Sequence, residues 1–473
     1  MKKIIVISLL GAWALYADNQ TTDLSPVFVD APLPFTISIQ SAEFTLPMGI
    51  QSGAAAQCGS KYLFIAGRIN GLHNFNNDTN NFPPNQQNTT VFVIDPCKKS
   101  VVTRSLLDPS SGLTQEQIDT LSVTSPQFYQ HHKTLYITGG YGVDTSTGNF
   151  STKDTLTAID VPGLIHWVTH PNCSSRAVDY IRQISNPVFQ VTGGHMFQVG
   201  KNPTLLMLGQ NFTGFYTPNT TGDYTEQIRR FHIIDDGKCL NVIVERATSP
   251  DPNYRRRDLN IIPIIKFCCH KKKTPAFVAL SGVFTESAGA WTVPIEISAC
   301  GNPHMADPDL ATTFKQGMNN YNSAHVELLS KRGNIYSILF GGITFEYYQD
   351  GQFFTDAELP FTNNVTVVKR NKNGRYQQYL LPTEYPTIVS TASNPGNVLL
   401  FGAGAKFMPA PDIHIYKNGV LKLKKIKKPT VIGYIIGGIQ STLPNTNSSS
   451  DSAASPYVFK VILTPTFNEI NLS

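Results

Sequence analysis

The chain has 473 residues, 41% of them hydrophobic and 15% charged, with 38 Lys and Arg against 33 Asp and Glu. That composition supplies a large core and excludes a disordered chain. The near balance of charge makes no case for nucleic acid as a partner, and no apolar run reaches the roughly 20 residues that span a bilayer.

The opening MKKIIVISLLGAWALYA has the three parts of a secretory signal. Lys2 and Lys3 are its positive end, Ile4 to Leu15 its apolar core, and Ala12, Ala14 and Ala17 its small residues, so residues 1–17 read as a signal peptide. Its removal takes the 38 basic residues to 36 against 33 acidic ones. The first cysteine is Cys58, so no lipid anchor is indicated. Residues 18–473 are expected to form one soluble, monomeric domain, exported to a periplasmic, cell-surface or extracellular location. Seven cysteines in an oxidising compartment point to some disulfides, with at least one thiol left over. Their pairing is not legible, Cys268 and Cys269 being neighbours. Neither a CxxC pair nor a zinc pattern occurs.

Along the mature chain, PFTISIQSAEFTL (34–46) alternates as a strand. Six short apolar runs follow, each reaching a glycine: YLFIAG, LYITGG, LLMLGQ, FVALSG, YSILFGG and GYIIGG. With Gly67, Gly140, Gly209, Gly282, Gly342 and Gly438 as markers, the steps are 73, 69, 73, 60 and 96 residues. Beyond each marker lies a second run with strand alternation, as in TVFVIDPCKK (90–99), TLTAIDVPG (155–163) and RRFHIIDDGK (229–238). Before most markers lies a short strand with a tight turn, as in SPQFYQHHKT (125–134), GGHMFQVGKN (193–202) and SAHVELLSKRGN (323–334). An apolar run that stops at glycine marks a backbone that turns sharply or packs closely. Repetition at such periods predicts small sheets stacked radially, burying both faces of each against its neighbours.

The reading is therefore all-β, a six-bladed β-propeller, with seven blades as the alternative because LLFGAGAKF (399–407) falls inside the long last step. In the six-blade reading GAGAKFMP is the first strand of blade six. IHIYKNGVLKL (413–423) is then an inserted hairpin with a type I′ turn at Asn418-Gly419. Residues 34–46 are expected to pair with the final strand near 457–463 and close the ring. A short helix is expected over 112–121 from the Thr114/Gln117 capping box. NNDTNNFPPNQQN (76–88) and TLPNTNSSSDSAASP (442–456) read as polar loops.

The segments TLYITGGYG, VTGGHMFQVG, RRRDLNIIP, LFGGITFEYY and VIGYIIGGIQS resemble the kelch type of β-propeller, and more closely a group of exported bacterial kelch-like proteins. The resemblance covers nearly all of the mature chain. It departs from a strict kelch repeat in that the Tyr and Trp after the glycines are mostly absent, only Trp291 standing at a comparable place. It implies a propeller and hands over no catalytic residue.

Inner strands of a propeller converge on a central channel, so the residues that open them are the candidate ligand-binding set: His195, Arg257, Asp258, His325 and Lys406. Arg suits carboxylates and the set suits an anionic or sugar ligand, although Arg257 and Asp258 equally fit an inter-blade salt bridge. His131 and His132 lie in a tight turn and are expected to point apart, and no metal site is assigned. The lysines of KNGVLKLKKIKKP (417–429) are read as guards of an exposed edge strand. There is no GxSxG elbow, HExxH helix, phosphate-binding loop or dinucleotide fingerprint, so no catalytic residue is named and no cofactor is expected. The function read from the sequence is an exported binding or scaffold propeller that engages a glycan, a small anionic ligand or a partner protein through one loop-rich face. A sugar isomerase or an oxidase on a kelch propeller is the alternative.

Overall fold

The computed structural model describes residues 33–466, apart from 78, 219, 268–272, 288, 350, 351 and 447. The signal segment and the Cys268–Cys269 pair lie outside the described residues. Six sheets of antiparallel strands form a ring, so the protein is a six-bladed β-propeller. The inner strands, which begin blades one to six, are Ala54–Cys58, Gln127–His131, His195–Gln198, Asn260–Phe267, Ala324–Leu329 and Lys406–Pro409. Among the described residues no helix is long and apolar enough to cross a membrane.

Alternation along these strands gives each blade two apolar faces, and each face is buried against the next blade. Six separate apolar clusters result, one between every neighbouring pair of blades. Between blades one and two, for example, Leu63, Ile65 and Val93 pack against Leu135, Ile137 and Trp167. Each such side chain contributes about 1.5–3 kcal/mol when fully buried.

All six marker glycines have positive φ, and so does the residue before each. At Gly209 (φ +85°) a Cβ would stand 2.7 Å from Gly194 N and from Thr192 O, so the inner strand of the same blade forbids a side chain. Its N–H donates to Arg256 O of the next blade at 2.8 Å. The glycines thus mark where each second strand turns out of its blade and ties to its neighbour.

Phe35–Ser41 pairs antiparallel with Val458–Pro465 from Phe35↔Pro465 to Ser41↔Phe459, supplying the outermost strand of blade six. The last blade is therefore built from both ends of the chain, as the alternation of 34–46 predicts. The helix Gln115–Leu121 carries the expected capping box, Gln117 N donating to Thr114 Oγ1 at 3.2 Å and Thr114 N to Gln117 Oε1 at 3.0 Å.

Five expectations need correction. The strand run read over 155–163 ends at Asp160 and continues as a nine-residue helix, Val161–Thr169, whose Trp167 is fully buried between blades one and two. The insertion in blade six is a hairpin, Ile415 bridging Leu421 and Tyr416 N donating to Val420 O at 2.8 Å, but its turn is not type I′. Gly419 has positive φ and Asn418 does not, whereas type I′ needs both. The Asn418 amide donates to Ile264 O at 3.2 Å. Leu421–Lys422 adds in parallel to the inner edge of blade five, and Leu423–Lys425 is a 3-10 turn, so the following lysines guard no edge strand. His131 and His132 do not point apart, their rings stacking 4.4 Å between centroids. Finally, the five described cysteines are free thiols, lying at or beside hairpin turns of four different blades.

Candidate binding cavities at the channel

Two residues before each inner strand the chain passes through a left-handed conformation. The six residues are Ser52, Ser125, Gly193, Asp258, Asn322 and Gly404, with φ between 49° and 69°. Glycine and Asn or Asp tolerate this region best, which accounts for four of the six. Five backbone hydrogen bonds join them head to tail around the channel, at all but the step from Asp258 to Asn322. Ser52 N donates to Gly404 O (3.0 Å), Ser125 N to Ser52 O (3.0 Å), Gly193 N to Ser125 O (3.1 Å), Asp258 N to Gly193 O (2.7 Å) and Gly404 N to Asn322 O (2.7 Å). This ring forms a waist. A cavity of about 210 Å³ opens above it among the long loops, and one of about 240 Å³ lies below it between the inner strands. Asp258 has the one carboxylate of the ring and borders both.

The upper cavity is lined by a group of aromatic side chains, His73, Phe75, Phe82, Tyr216 and Phe284 among them, with Arg257 and Glu358 on its wall. Arg257 precedes the waist residue of blade four, and its backbone is fixed by mutual hydrogen bonds with Val283 at 2.7 and 3.0 Å. Only 8% of the residue is exposed. The guanidinium lies 5.3, 5.7 and 5.8 Å from the ring centroids of Phe284, Tyr216 and Tyr224. One N–H donates to the Tyr216 hydroxyl at 3.1 Å. Asp258 Oδ2 is 3.4 Å from Nε, near enough to offset charge but without the alignment of a hydrogen bond, so the Nε–H stays unmatched. Burial pushes the Asp258 carboxyl up, against the pull of Arg257 and Lys406. His73 continues the aromatic wall, 4.5, 4.7 and 4.8 Å from the rings of Phe75, Phe82 and Tyr216. Burial brings its imidazole down to about 4, and Arg257 and Arg68 push the same way.

The lower cavity gathers His195, His325, Lys406 and Asp258 from four blades. His195 and Lys406 are the first residues of their strands, and His325 is the second of its strand. Lys406 extends over Phe128, 5.3 Å from its centroid. Burial lowers it to about 8, opposed by Asp258. Burial also holds His195 down at about 3, with His325 and Lys406 adding repulsion. His325 Nδ1 lies 2.7 Å from Glu327 Oε1, so its ring is oriented by a buried carboxylate.

Of the five residues singled out from the sequence, four therefore share the lower cavity, while Arg257 faces the upper one. Arg257 and Asp258 pair with each other rather than across a blade joint. Tyr216, Tyr224, Phe284 and His73 were not anticipated. They sit on loops outside the repeat, although large aromatics in Asn-rich segments such as HNFNNDTNNFPPN were a usable signal. Among the described residues no three His, Cys, Asp or Glu side chains are grouped to share a metal ion.

No protein-family model and no curated protein matches the chain. Solved structures match it in fold. A structure of YjhT aligns at 12% identity and a TM-score of 0.45, covering 89% of this chain and 98% of that one. RAG in complex with one melted and one unmelted RSS aligns at 10% identity and a TM-score of 0.43, covering 89% and 99%. Likenesses this distant carry no argument about function.

Proposed function

We propose that the protein is an exported binding propeller of kelch type that takes a small anionic ligand, such as a sugar acid, in the upper cavity. The observation that carries this reading is Arg257, a buried guanidinium on the cavity wall, surrounded by aromatic rings and with an Nε–H that no protein acceptor matches. A ligand carboxylate that reaches the guanidinium gains charge-assisted hydrogen bonds. The rings of Tyr216, Phe284 and His73 offer faces for the apolar side of a sugar or a short acid. At about 210 Å³ the space is below the roughly 300–1,000 Å³ of drug-sized sites, which favours a ligand of monosaccharide size. A partner protein gripping the loop-rich face is the weaker form of the same reading, because the cavity is concave and small.

Thermal-shift screening against sugar acids and small carboxylates tests it, since a ligand of the folded state raises the melting temperature. Arg257→Ala is expected to weaken the best hit by the loss of about 1.5–3 kcal/mol, the worth of a hydrogen bond to a charged group. The backbone bonds of residue 257 to Val283 remain, so the variant should stay folded. A variant that binds as the parent does would remove Arg257 from the site.

A further inference from the structure

Strand direction sorts the connections of a propeller onto two ends. Turns joining first to second and third to fourth strands fall at one end, here called the hairpin end; the others fall at the loop end, which holds the upper cavity. Charge is sorted the same way. Every blade shows an exposed cation at the hairpin end: Lys98, Lys133, Lys238, Lys273, Lys372 and Lys424 in blades one to six. Blade six adds exposed Lys425, Lys427 and Lys428 at and just after the 3-10 turn of its insertion. Most carboxylates at this end are engaged: Asp179 pairs with Arg176 at 2.9 Å, Asp235 pairs with Arg182 at 2.8 Å, and Asp236 accepts from the N–H of Lys238 and Cys239 in its own turn, leaving Asp412 exposed in the blade-six insertion. At the loop end exposed carboxylates predominate, with Glu116, Asp223, Glu286, Asp307, Asp309 and Glu358 in view against Arg246. A chain of net charge +5 is thus strongly polarised along its axis.

A second observation concerns the chain ends. Phe35 pairs with Pro465, and Thr466 N donates to Pro34 O at 3.0 Å, so the chain enters and leaves the propeller at the hairpin end.

We infer that the hairpin end docks on an anionic lipid surface, leaving the ligand cavity at the far end open to solution. The cations come from all six blades, which spreads them over a broad face that suits a planar surface better than a single polymer strand. Lysines near an anionic leaflet each add attraction that fades within a Debye length. The acidic loop end is repelled by the same surface, so the field fixes orientation as well as affinity. The inference is independent of the Arg257 reading, since the two faces lie at opposite ends.

Co-sedimentation of the full chain with vesicles tests it, using zwitterionic lipid alone and zwitterionic lipid with about 30% anionic lipid. The chain should pellet with the anionic vesicles only, and less so as salt rises. The variant K424E/K425E/K427E/K428E should bind at least about tenfold more weakly, with its melting temperature unchanged because all four side chains are exposed. Reversal on another blade, K98E/K99E, should weaken binding independently. Equal pelleting with both vesicle types, or binding unmoved by either reversal, would overturn the inference. Capture by a soluble anionic polysaccharide with none on vesicles would overturn it as well.

Discussion

Asp258 shows how much chemistry a single backbone position concentrates. It is held in the left-handed region by the waist, sits between two cavities, and faces Arg257 on one side and Lys406 on the other. His195 illustrates the cost of such a site. Its folded pKa of about 3 lies below the ordinary 6.5, so between those values the unfolded chain binds a proton that the folded chain refuses. Stability should therefore rise with pH from 3 to 6.5, the penalty being absent above that window. His195→Asn removes this group and should unfold less readily than the parent near pH 4, in denaturant titrations across the range. His73, at about 4, leaves some slope in the variant. Profiles of identical shape would show that His195 is solvated in the folded state. Glycine can be tested in the same way. Gly209→Ala should cost at least about 1–3 kcal/mol through its φ and the close backbone. Gly200→Ala should cost less, because nothing stands within 4 Å of its added Cβ.

At the scale of elements, the inner strands and the closing strand were legible because each has a single periodicity and ends at turn residues. Elements that escaped did so for physical reasons. Asp160-Val161-Pro162 is acceptable turn chemistry and equally a helix start, since Pro is favoured in the first helical turn. The burial of Trp167 between blades decides for the helix, and a local reading does not contain that contact. Asn418-Gly419 announces the hairpin that forms but not its docking, in which the Asn418 amide donates to blade four and Leu421–Lys422 pairs with blade five. The closing strand gives the clearest prediction at this scale. Its Phe35, Ile37 and Ile39 are buried in the core shared by blades five and six. Deleting residues 18–46 opens both that core and the ring, so the truncated chain should lose its single cooperative melt. A sharp melt at the parent's temperature would mean that the ring holds without its latch.

For the whole molecule, six marker glycines announced six blades, because each marker reports the same exit from a second strand. The site was half legible for the same reason. His195, Asp258, His325 and Lys406 sit at or near repeat-equivalent positions and meet below the waist. Arg257 comes one residue before its waist position, which turns it upward, toward loops that obey no period. Tyr216, Tyr224, Phe284 and His73 therefore had no register from which to be placed. The two cavities make opposite demands on any ligand, and that difference can be measured. Calorimetric titration of one carboxylate ligand into the parent, Arg257→Ala and Lys406→Ala tests the account most directly. It predicts binding lost or weakened by at least about tenfold in Arg257→Ala and retained in Lys406→Ala. Loss in Lys406→Ala with full binding in Arg257→Ala would place the ligand below the waist and contradict it.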